Sequence, residues 1–209
     1  MAHPMPAVFV VDDDAAVRDS LTLLLHLRGY SSVCFPDGSD FLAAVDTTAR
    51  GCILLDLRMP GIGGLEVIAG LAARSIDIPV IILTAHGDVA TTRAALQAGA
   101  FDFLEKPIDE GPLLKTVAAA IARDAEIQVQ KDRRAAIHRQ ISRLTPRERQ
   151  VLKLVVDGHH NREVARELGI SPRTVEVYKA RVMDKLQVDR LADLIRLALD
   201  LGSTMEERA

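Results

Sequence analysis

Three short runs of apolar, β-branched residues constrain the fold more than any other feature of the sequence. They cover residues 7–11, 52–55 and 79–83, a length that is typical of strands buried on both faces of a sheet. The segments between them have helical spacing instead. Ala15 to Arg28 has apolar residues at 17, 21, 24 and 25 and is followed by Gly29. Buried strands that alternate with amphipathic helices predict a parallel sheet covered by helices.

The same alternation continues in shorter strands and further helices. Strands are predicted at Ser32–Phe35 and Phe101–Leu104, and helices at Leu65–Ala73, Val89–Ala98 and Leu113–Arg123. Five β/α repeats with right-handed crossovers give an α/β doubly wound, flavodoxin-like fold.

The last third of the chain shows helical patterns alone and predicts an all-α domain of four helices. These are expected over 146–157, 161–168, 172–187 and 190–201. Thr145 and Glu148 have capping-box spacing at the start of the first. The second and third are joined by a short turn that contains Gly169, which is typical of a helix-turn-helix, so the third is the expected recognition helix.

Single positions in this domain lead to more detailed predictions. Val175, Val182 and Leu186 give the recognition helix its core face, and Tyr178 is expected to point away from that face. Asn161 is the candidate N-cap of the preceding helix.

A charged, glutamine-rich segment without Gly or Pro separates the two domains. It predicts a helical linker over 124–139, between domains at 1–123 and 140–209. Its apolar residues do not keep a clean heptad, so an intermolecular coiled coil and a solvated spacer both remain open, and the spacer is the simpler interpretation.

Charge divides the chain in the same way. Residues 1–125 carry 9 Lys and Arg against 16 Asp and Glu, whereas residues 126–209 carry 17 against 13, which favours different partners for the two halves. The sequence has no apolar run long enough for a membrane helix and no secretory signal, which predicts a cytoplasmic protein without membrane contact. Cys34 and Cys52 are isolated and are expected to be reduced.

Acidic, hydroxyl and basic side chains follow the expected strands. Asp12 and Asp13 follow the first strand, Asp56 the third, Thr84 the fourth and Lys106 the fifth. The carboxyl ends of parallel strands meet at one edge, where ligands of such sheets bind. Crowded carboxylates repel one another unless a cation such as Mg²⁺, which prefers oxygen ligands, lies among them. A metal and a lysine beside a carboxylate nucleophile suit phosphoryl transfer to Asp56.

Singly, these residues have ordinary interpretations, since Thr84 could cap a helix and Lys106 could be an exposed charge. Together they lie in four motifs, which are Val10-Val11-Asp12-Asp13-Asp14, Leu55-Asp56-Leu57-Arg58-Met59-Pro60-Gly61, Thr84-Ala85-His86-Gly87-Asp88 and Lys106-Pro107. In this order they resemble the successive motifs of a response regulator receiver domain, from residue 7 to about residue 125.

The resemblance implies that a sensor histidine kinase phosphorylates Asp56. Mg²⁺ would be bound by Asp13, by Asp56 and by the backbone carbonyl of Arg58, with Asp12 acting mainly through water. Lys106 would contact the phosphoryl oxygens. The expected cofactor is therefore Mg²⁺.

The same resemblance implies a conformational switch. Thr84 would move toward the phosphoryl group, and Phe103, three positions before the lysine, would turn inward. Arg58 and His86 occupy positions that tune the phosphoryl lifetime in similar receivers. Asp14 is interpreted as a helix cap and not as a metal ligand.

Residues 144–152 and 161–186 are similar to a LuxR-type DNA-binding domain, and with the receiver the chain resembles FixJ/NarL-type regulators over nearly its whole length. The resemblance implies dimeric binding to double-stranded promoter DNA, with Glu176 and Val177 facing bases. Thr174, Lys179 and Lys185 are assigned to phosphates, and Arg173 and Arg181 to the same DNA-binding surface. Tyr178 and the pair His159-His160 depart from the usual residues of the family, which leaves the target sequence open.

The expected function is thus transcriptional regulation and not enzymatic catalysis, with homodimerisation on phosphorylation and RNA polymerase as a further candidate partner. Three alternatives remain: a receiver that only relays phosphate, a regulator that binds DNA without phosphorylation, and a basic helix that packs on RNA polymerase or on the receiver.

Overall fold

The computed structural model describes residues 5–85, 89–190, 192–194 and 196. The chain divides into two compact units, Met1–Gln128 and Val129–Ala209. No helix in the described part of the chain is long and apolar enough to cross a membrane.

Five parallel strands form the sheet of the first unit. They are β1 (Ala7–Val11), β2 (Ser31–Phe35), β3 (Gly51–Asp56), β4 (Val80–Thr84) and β5 (Asp102–Glu105). Their order is β2-β1-β3-β4-β5, which confirms the doubly wound fold predicted from the sequence. The prediction for β1 was correct at both ends, and the other four strands were placed within one residue at each end.

Helices connect these strands. They are α1 (Ala15–Leu27), α2 (Gly38–Ala44), α3 (Gly64–Ala73), α4 (Val89–Gln97) and α5 (Glu110–Ser142). Helix α2 was not predicted from the sequence. It is a short helix that Asp37 caps by accepting a hydrogen bond from the Asp40 backbone N–H at 2.9 Å. The predicted helix Leu113–Arg123 begins three residues earlier, at Glu110, and the segment 124–139, predicted as a helical linker, is helical and continues it within α5. The domain boundaries themselves stay a prediction.

The sheet is covered on both faces, as the continuous apolar runs indicated. In β3 every residue is buried, with Ile53 and Leu55 in one apolar cluster and Cys52 and Leu54 in the other. Helices α2 and α3 supply the first cluster, and α1 and α5 supply the second. Hydrophobic burial on both faces therefore holds β3 at the centre of the unit.

A buried carboxylate attaches α5 to the start of β3. Asp124 is 1% exposed, and its Oδ2 accepts hydrogen bonds from Arg50 Nε and from the Gly51 backbone N–H, both at 3.0 Å. Gly51 has a φ of +116°, and a Cβ there would lie 2.0 Å from the Ala7 carbonyl oxygen, so only glycine fits. Burial, together with the nearby Asp124 charge, raises the pKa of the Cys52 thiol to about 12. Asp124 is thus a core residue, although the sequence analysis placed it in the solvated linker.

Helices build the second unit. They are α6 (Pro146–Val156), α7 (Asn161–Leu168) and α8 (Pro172–Leu186), and residues 192–194 and 196 are also helical. The remainder of the predicted helix 190–201 lies outside the described residues. The capping box of Thr145 and Glu148 is confirmed. Gly169, with a φ of +64°, ends α7 before the turn to α8, which gives the predicted helix-turn-helix.

Two details of this unit differ from the predictions. The N-cap of α7 is His160 and not Asn161, because Glu163 accepts a hydrogen bond from the His160 backbone N–H at 2.8 Å. Tyr178 does not point away from the core, but packs against the cluster that contains Val175. Residues three positions apart share a helix face, and that spacing places Tyr178 beside Val175.

Replacement of Asp124 by Ala tests its structural role. We expect the free energy of unfolding of the first unit to fall by about 3 kcal/mol, because the Arg50 guanidinium and the Gly51 N–H lose their buried partner. Hydrogen exchange of the β1 and β3 amides measures this change. Glu126→Gln removes an exposed carboxylate from the same helix and should change stability by less than about 0.5 kcal/mol. Equal effects of the two substitutions would contradict the prediction.

Candidate functional site

The parallel sheet brings an acidic cluster together at the carboxyl ends of its strands. Asp12 follows β1, which pairs with β3, and Asp56 is the last residue of β3. Asp12, Asp13 and Asp56 each offer a carboxylate oxygen within 4.8 Å of the other two. Asp12 is fully buried and Asp56 is 8% exposed, whereas Asp13 is exposed. The cluster therefore has two buried members and one that solvent reaches.

Lys106 lies between the two buried carboxylates. Its Nζ donates hydrogen bonds to Asp12 Oδ2 and Asp56 Oδ2, both at 2.7 Å. Burial disfavours the charged ammonium, but the hydrogen bonds to Asp12 and Asp56 outweigh burial and raise the pKa of Lys106. The ammonium thus remains charged and offsets part of the repulsion between the acids.

Backbone geometry holds these side chains in place. The Arg58 N–H donates to Asp56 Oδ1 at 3.0 Å, and the Asp14 N–H donates to Asp12 Oδ1 at 3.0 Å. Asp14 itself caps α1 by accepting from the Ala16 N–H at 2.8 Å, which confirms that it acts as a helix cap. The Lys106 N–H donates to the Thr84 carbonyl at 2.8 Å, and the Lys106–Pro107 peptide bond is cis.

The two residues of the predicted switch lie in neighbouring strands. Thr84 is buried at the end of β4, and its hydroxyl donates to the Ala85 carbonyl at 3.3 Å. Phe103 lies in β5 and is 43% exposed. The switch assigned to Thr84 and Phe103 stays a prediction. His86 lies outside the described residues.

The donor set of the cluster fits a divalent cation. Three carboxylates supply hard oxygen ligands, which Mg²⁺ and similar ions prefer, and a single lysine does not balance their charge. Asp13, Asp56 and the Arg58 backbone are the groups that the sequence analysis assigned to the metal, and Asp12 lies beside them. With a divalent cation bound beside Lys106, the arrangement would suit chemistry in which negatively charged oxygens approach Asp56.

Helix α8 presents a different surface in the second unit. Arg173, Glu176, Val177 and Arg181 are exposed, and Thr174 and Lys179 are half-buried. Val177 is an apolar side chain that is 46% exposed, a property that suits contact with a base.

Three of the predicted phosphate ligands already have partners within the unit. The Thr174 hydroxyl lies 2.8 Å from the hydroxyl of Ser171, the N-cap of α8. Lys179 Nζ donates to Asn161 Oδ1 at 3.1 Å, and Lys185 Nζ donates to Glu148 Oε2 at 2.7 Å. The capping-box pattern explained Glu148 locally, so the sequence analysis did not connect it with Lys185.

Comparison with known families identifies both units. Residues 8–118 match the response regulator receiver domain family, and residues 142–198 match the luxR family of bacterial regulatory proteins. The chain belongs to the response regulator family. The resemblance inferred from its motifs is therefore confirmed, and this response regulator combines a receiver domain with a LuxR-type DNA-binding domain.

Similarity to known proteins covers almost the whole length of this response regulator. The transcriptional regulatory protein FixJ of Azorhizobium caulinodans is 46% identical, covering 97% of this chain and 95% of the relative. FixJ of Bradyrhizobium diazoefficiens is 42% identical over 93% of this chain and 95% of the relative. Among structures, response regulator StyR matches with a TM-score of 0.77 at 41% identity, covering 92% of this chain and 98% of StyR. Full-length FixJ from B. japonicum matches with a TM-score of 0.59 at 40% identity, covering 95% of this chain and 98% of the FixJ chain.

Replacement of Lys106 by Met tests the electrostatics of the cluster. Without divalent cations, we expect the free energy of unfolding of the first unit to fall by about 2 kcal/mol, because Asp12 and Asp56 then face each other without a cation. The Lys106 side chain is 25% exposed, so the loss should be smaller than for a fully buried pair. Hydrogen exchange of the β3 amides measures it. Adding Asp56→Asn should recover most of the loss, and a Lys106→Met protein as stable as the wild type would refute the prediction.

Proposed function

We propose that a sensor histidine kinase phosphorylates Asp56 in a Mg²⁺-dependent reaction and that the phosphorylated regulator dimerises and binds promoter DNA. The single observation that carries the proposal is the convergence of Asp12, Asp13, Asp56 and Lys106 at one edge of the sheet. A cluster of this composition can hold a divalent cation and a lysine beside a phosphoryl group in transfer, and it can also offer a carboxylate as the acceptor.

Asp13, Asp56 and the Arg58 carbonyl would hold Mg²⁺, with Asp12 acting mainly through water. The metal would offset negative charge on the oxygens of the transferred group. A carboxylate oxygen of Asp56 attacks the phosphorus of the kinase phosphohistidine, and the phosphorus–nitrogen bond breaks, with its electron pair returning to the imidazole. Lys106 contacts a phosphoryl oxygen as this charge arrives.

Thr84 and Phe103 carry the signal away from Asp56. The Thr84 hydroxyl turns from the Ala85 carbonyl to the new phosphoryl group, and Phe103 moves from its exposed position into the space beside Thr84. The buried position of Thr84 and the 43% exposure of Phe103 support this step. It changes the surface formed by α4 and β5, through which we propose that two chains associate.

Dimerisation would strengthen DNA binding, because two weak half-site contacts on one duplex reinforce each other through effective concentration. Helix α8 would lie in the major groove, with Glu176 and Val177 toward bases. The phosphate contacts would come chiefly from Thr174 and Lys179. The family resemblance implies a third phosphate contact from Lys185 and places Arg173 and Arg181 on the same DNA-binding surface.

The remaining parts of the proposal concern location, partners and timing. The regulator would act in the cytoplasm as a transcription factor and not as an enzyme, with RNA polymerase as a further partner. Arg58 and His86 would tune how long the phosphoryl group persists. The domain boundaries at 1–123, 124–139 and 140–209 belong to the same proposal.

Incubation of the full chain with Mg²⁺ and a small phosphoramidate tests the first step. We expect one phosphoryl group on the wild type by mass spectrometry, located on Asp56, and a doubling of the mass in light scattering. Asp56→Asn should gain no phosphoryl group, and the wild type should gain none after chelation of Mg²⁺. Asp46→Asn, which changes an exposed aspartate outside the cluster, is the matched control and should react like the wild type. Phosphorylation of Asp56 without an increase in the molecular mass measured by light scattering would refute the dimerisation step.

Salt dependence of DNA binding separates two kinds of contact on α8. Lys179→Ala should weaken binding to all duplexes and reduce the slope of log K against log salt by about 0.9, because one counterion fewer is released. Glu176→Ala should change the base preference and leave the slope unaltered. Fluorescence anisotropy with the phosphorylated chain measures both effects. An unchanged slope for Lys179→Ala would remove this residue from the phosphate contacts.

A further inference from the structure

An ion pair between a buried carboxylate and a half-buried lysine joins the last turn of α8 to the first turn of α6. Glu148 is only 3% exposed, and its Oε2 accepts hydrogen bonds from the Thr145 backbone N–H and from Lys185 Nζ, both at 2.7 Å. The hydrogen bond from Lys185, followed by that from the Thr145 backbone, lowers the pKa of Glu148. The carboxylate is therefore charged at neutral pH and depends on a lysine from another helix.

The pair adjoins an apolar cluster. Leu152 follows Glu148 by one turn of α6, and Leu186 follows Lys185 directly in α8. Both leucines are buried in the same cluster, together with Val182. Apolar packing fixes the distance between the two helices but is weakly directional, whereas a hydrogen-bonded ion pair requires one relative position of the partners. The pair thus determines where the last turn of α8 lies along α6.

The partner of Lys185 also distinguishes it from the exposed basic residues of α8. Arg173 and Arg181 are exposed, while the Lys185 ammonium is held by a buried carboxylate. Transfer of this ammonium to a DNA phosphate would leave the Glu148 charge buried without its lysine, which is unfavourable. A phosphate contact that draws Lys185 away from Glu148 therefore conflicts with the packing of the unit.

From this geometry we infer that Lys185 is a positioning residue, which with Glu148 fixes α8 against α6 and sets DNA affinity without touching a phosphate. The inference replaces the earlier assignment of Lys185 to phosphate and rests on the DNA binding proposed above. It predicts that Lys185 affects the affinity for DNA but not the number of counterions released on binding.

The experiment uses the phosphorylated full chain and a duplex that the wild type selects from a random pool. Lys185→Met should weaken binding about tenfold without changing the salt slope, because α8 is displaced but no phosphate contact is lost. Lys179→Met is the matched control, and its slope should fall by about 0.9. Lys185→Arg, which retains the charge, should bind within about twofold of the wild type. A slope for Lys185→Met that falls as in the control would overturn the inference.

Glu148→Gln and the double variant Glu148→Gln/Lys185→Met complete a thermodynamic cycle. Each single variant should increase hydrogen exchange of the α8 amides, and the double variant should bind DNA more tightly than Lys185→Met, because no unpaired buried charge remains. If the effects of the two substitutions on DNA affinity are additive, the inference is overturned, even if Lys185→Met folds poorly. Failure of the wild type to select any duplex would refute the proposed function instead, and the exchange data would still test the pair.

Discussion

The hydrogen bonds from the Lys106 ammonium to Asp12 and Asp56 are the interaction on which the site in the first unit depends. Buried carboxylates are unfavourable alone, because each places a charge where water is excluded. The parallel sheet nevertheless brings them together, since it aligns the ends of β1 and β3 at one edge. The fold therefore requires a cation at this edge. A site that requires a cation also attracts a metal, and with the metal it can accept the charged oxygens of a phosphoryl group.

The sequence predicted this part of the molecule well because its signals are local. Burial on both faces produces continuous apolar runs, and the polar residue after each run marks the carboxyl end of a strand. The misses have equally local causes. Helix α2 has only seven residues and buries just Phe41 and Leu42 as large apolar side chains, so its periodicity is too short to detect. The helical segment predicted over 124–139 was correct, but its continuity with the preceding helix, which makes a single α5, was not stated.

Interactions between distant residues that do not follow strands could not be predicted in the same way. Arg50 and Asp124 are 74 positions apart, and Glu148 and Lys185 are 37 apart. In both cases a local explanation was already sufficient, since Asp124 begins a charged segment and Glu148 completes a capping box. The N-cap of α7 was predicted one residue too late. Its capping hydrogen bond is donated by the His160 backbone N–H, so the side chain of the capping residue gives no signal in the sequence.

The two lysine–carboxylate groups of this chain differ in charge balance, and this difference explains their different roles. The acidic cluster has three carboxylates and one ammonium, so it stays negative and attracts a further cation. The Glu148–Lys185 pair is balanced, and its carboxylate side chain is 4% exposed, so removal of the lysine leaves a buried charge uncompensated, which disfavours an exchange of partners. The cluster is thus suited to a change of ligands and the pair to a fixed geometry. A regulator needs both properties, because a signal that alters one surface can change DNA binding only if the recognition helix is held in a fixed position.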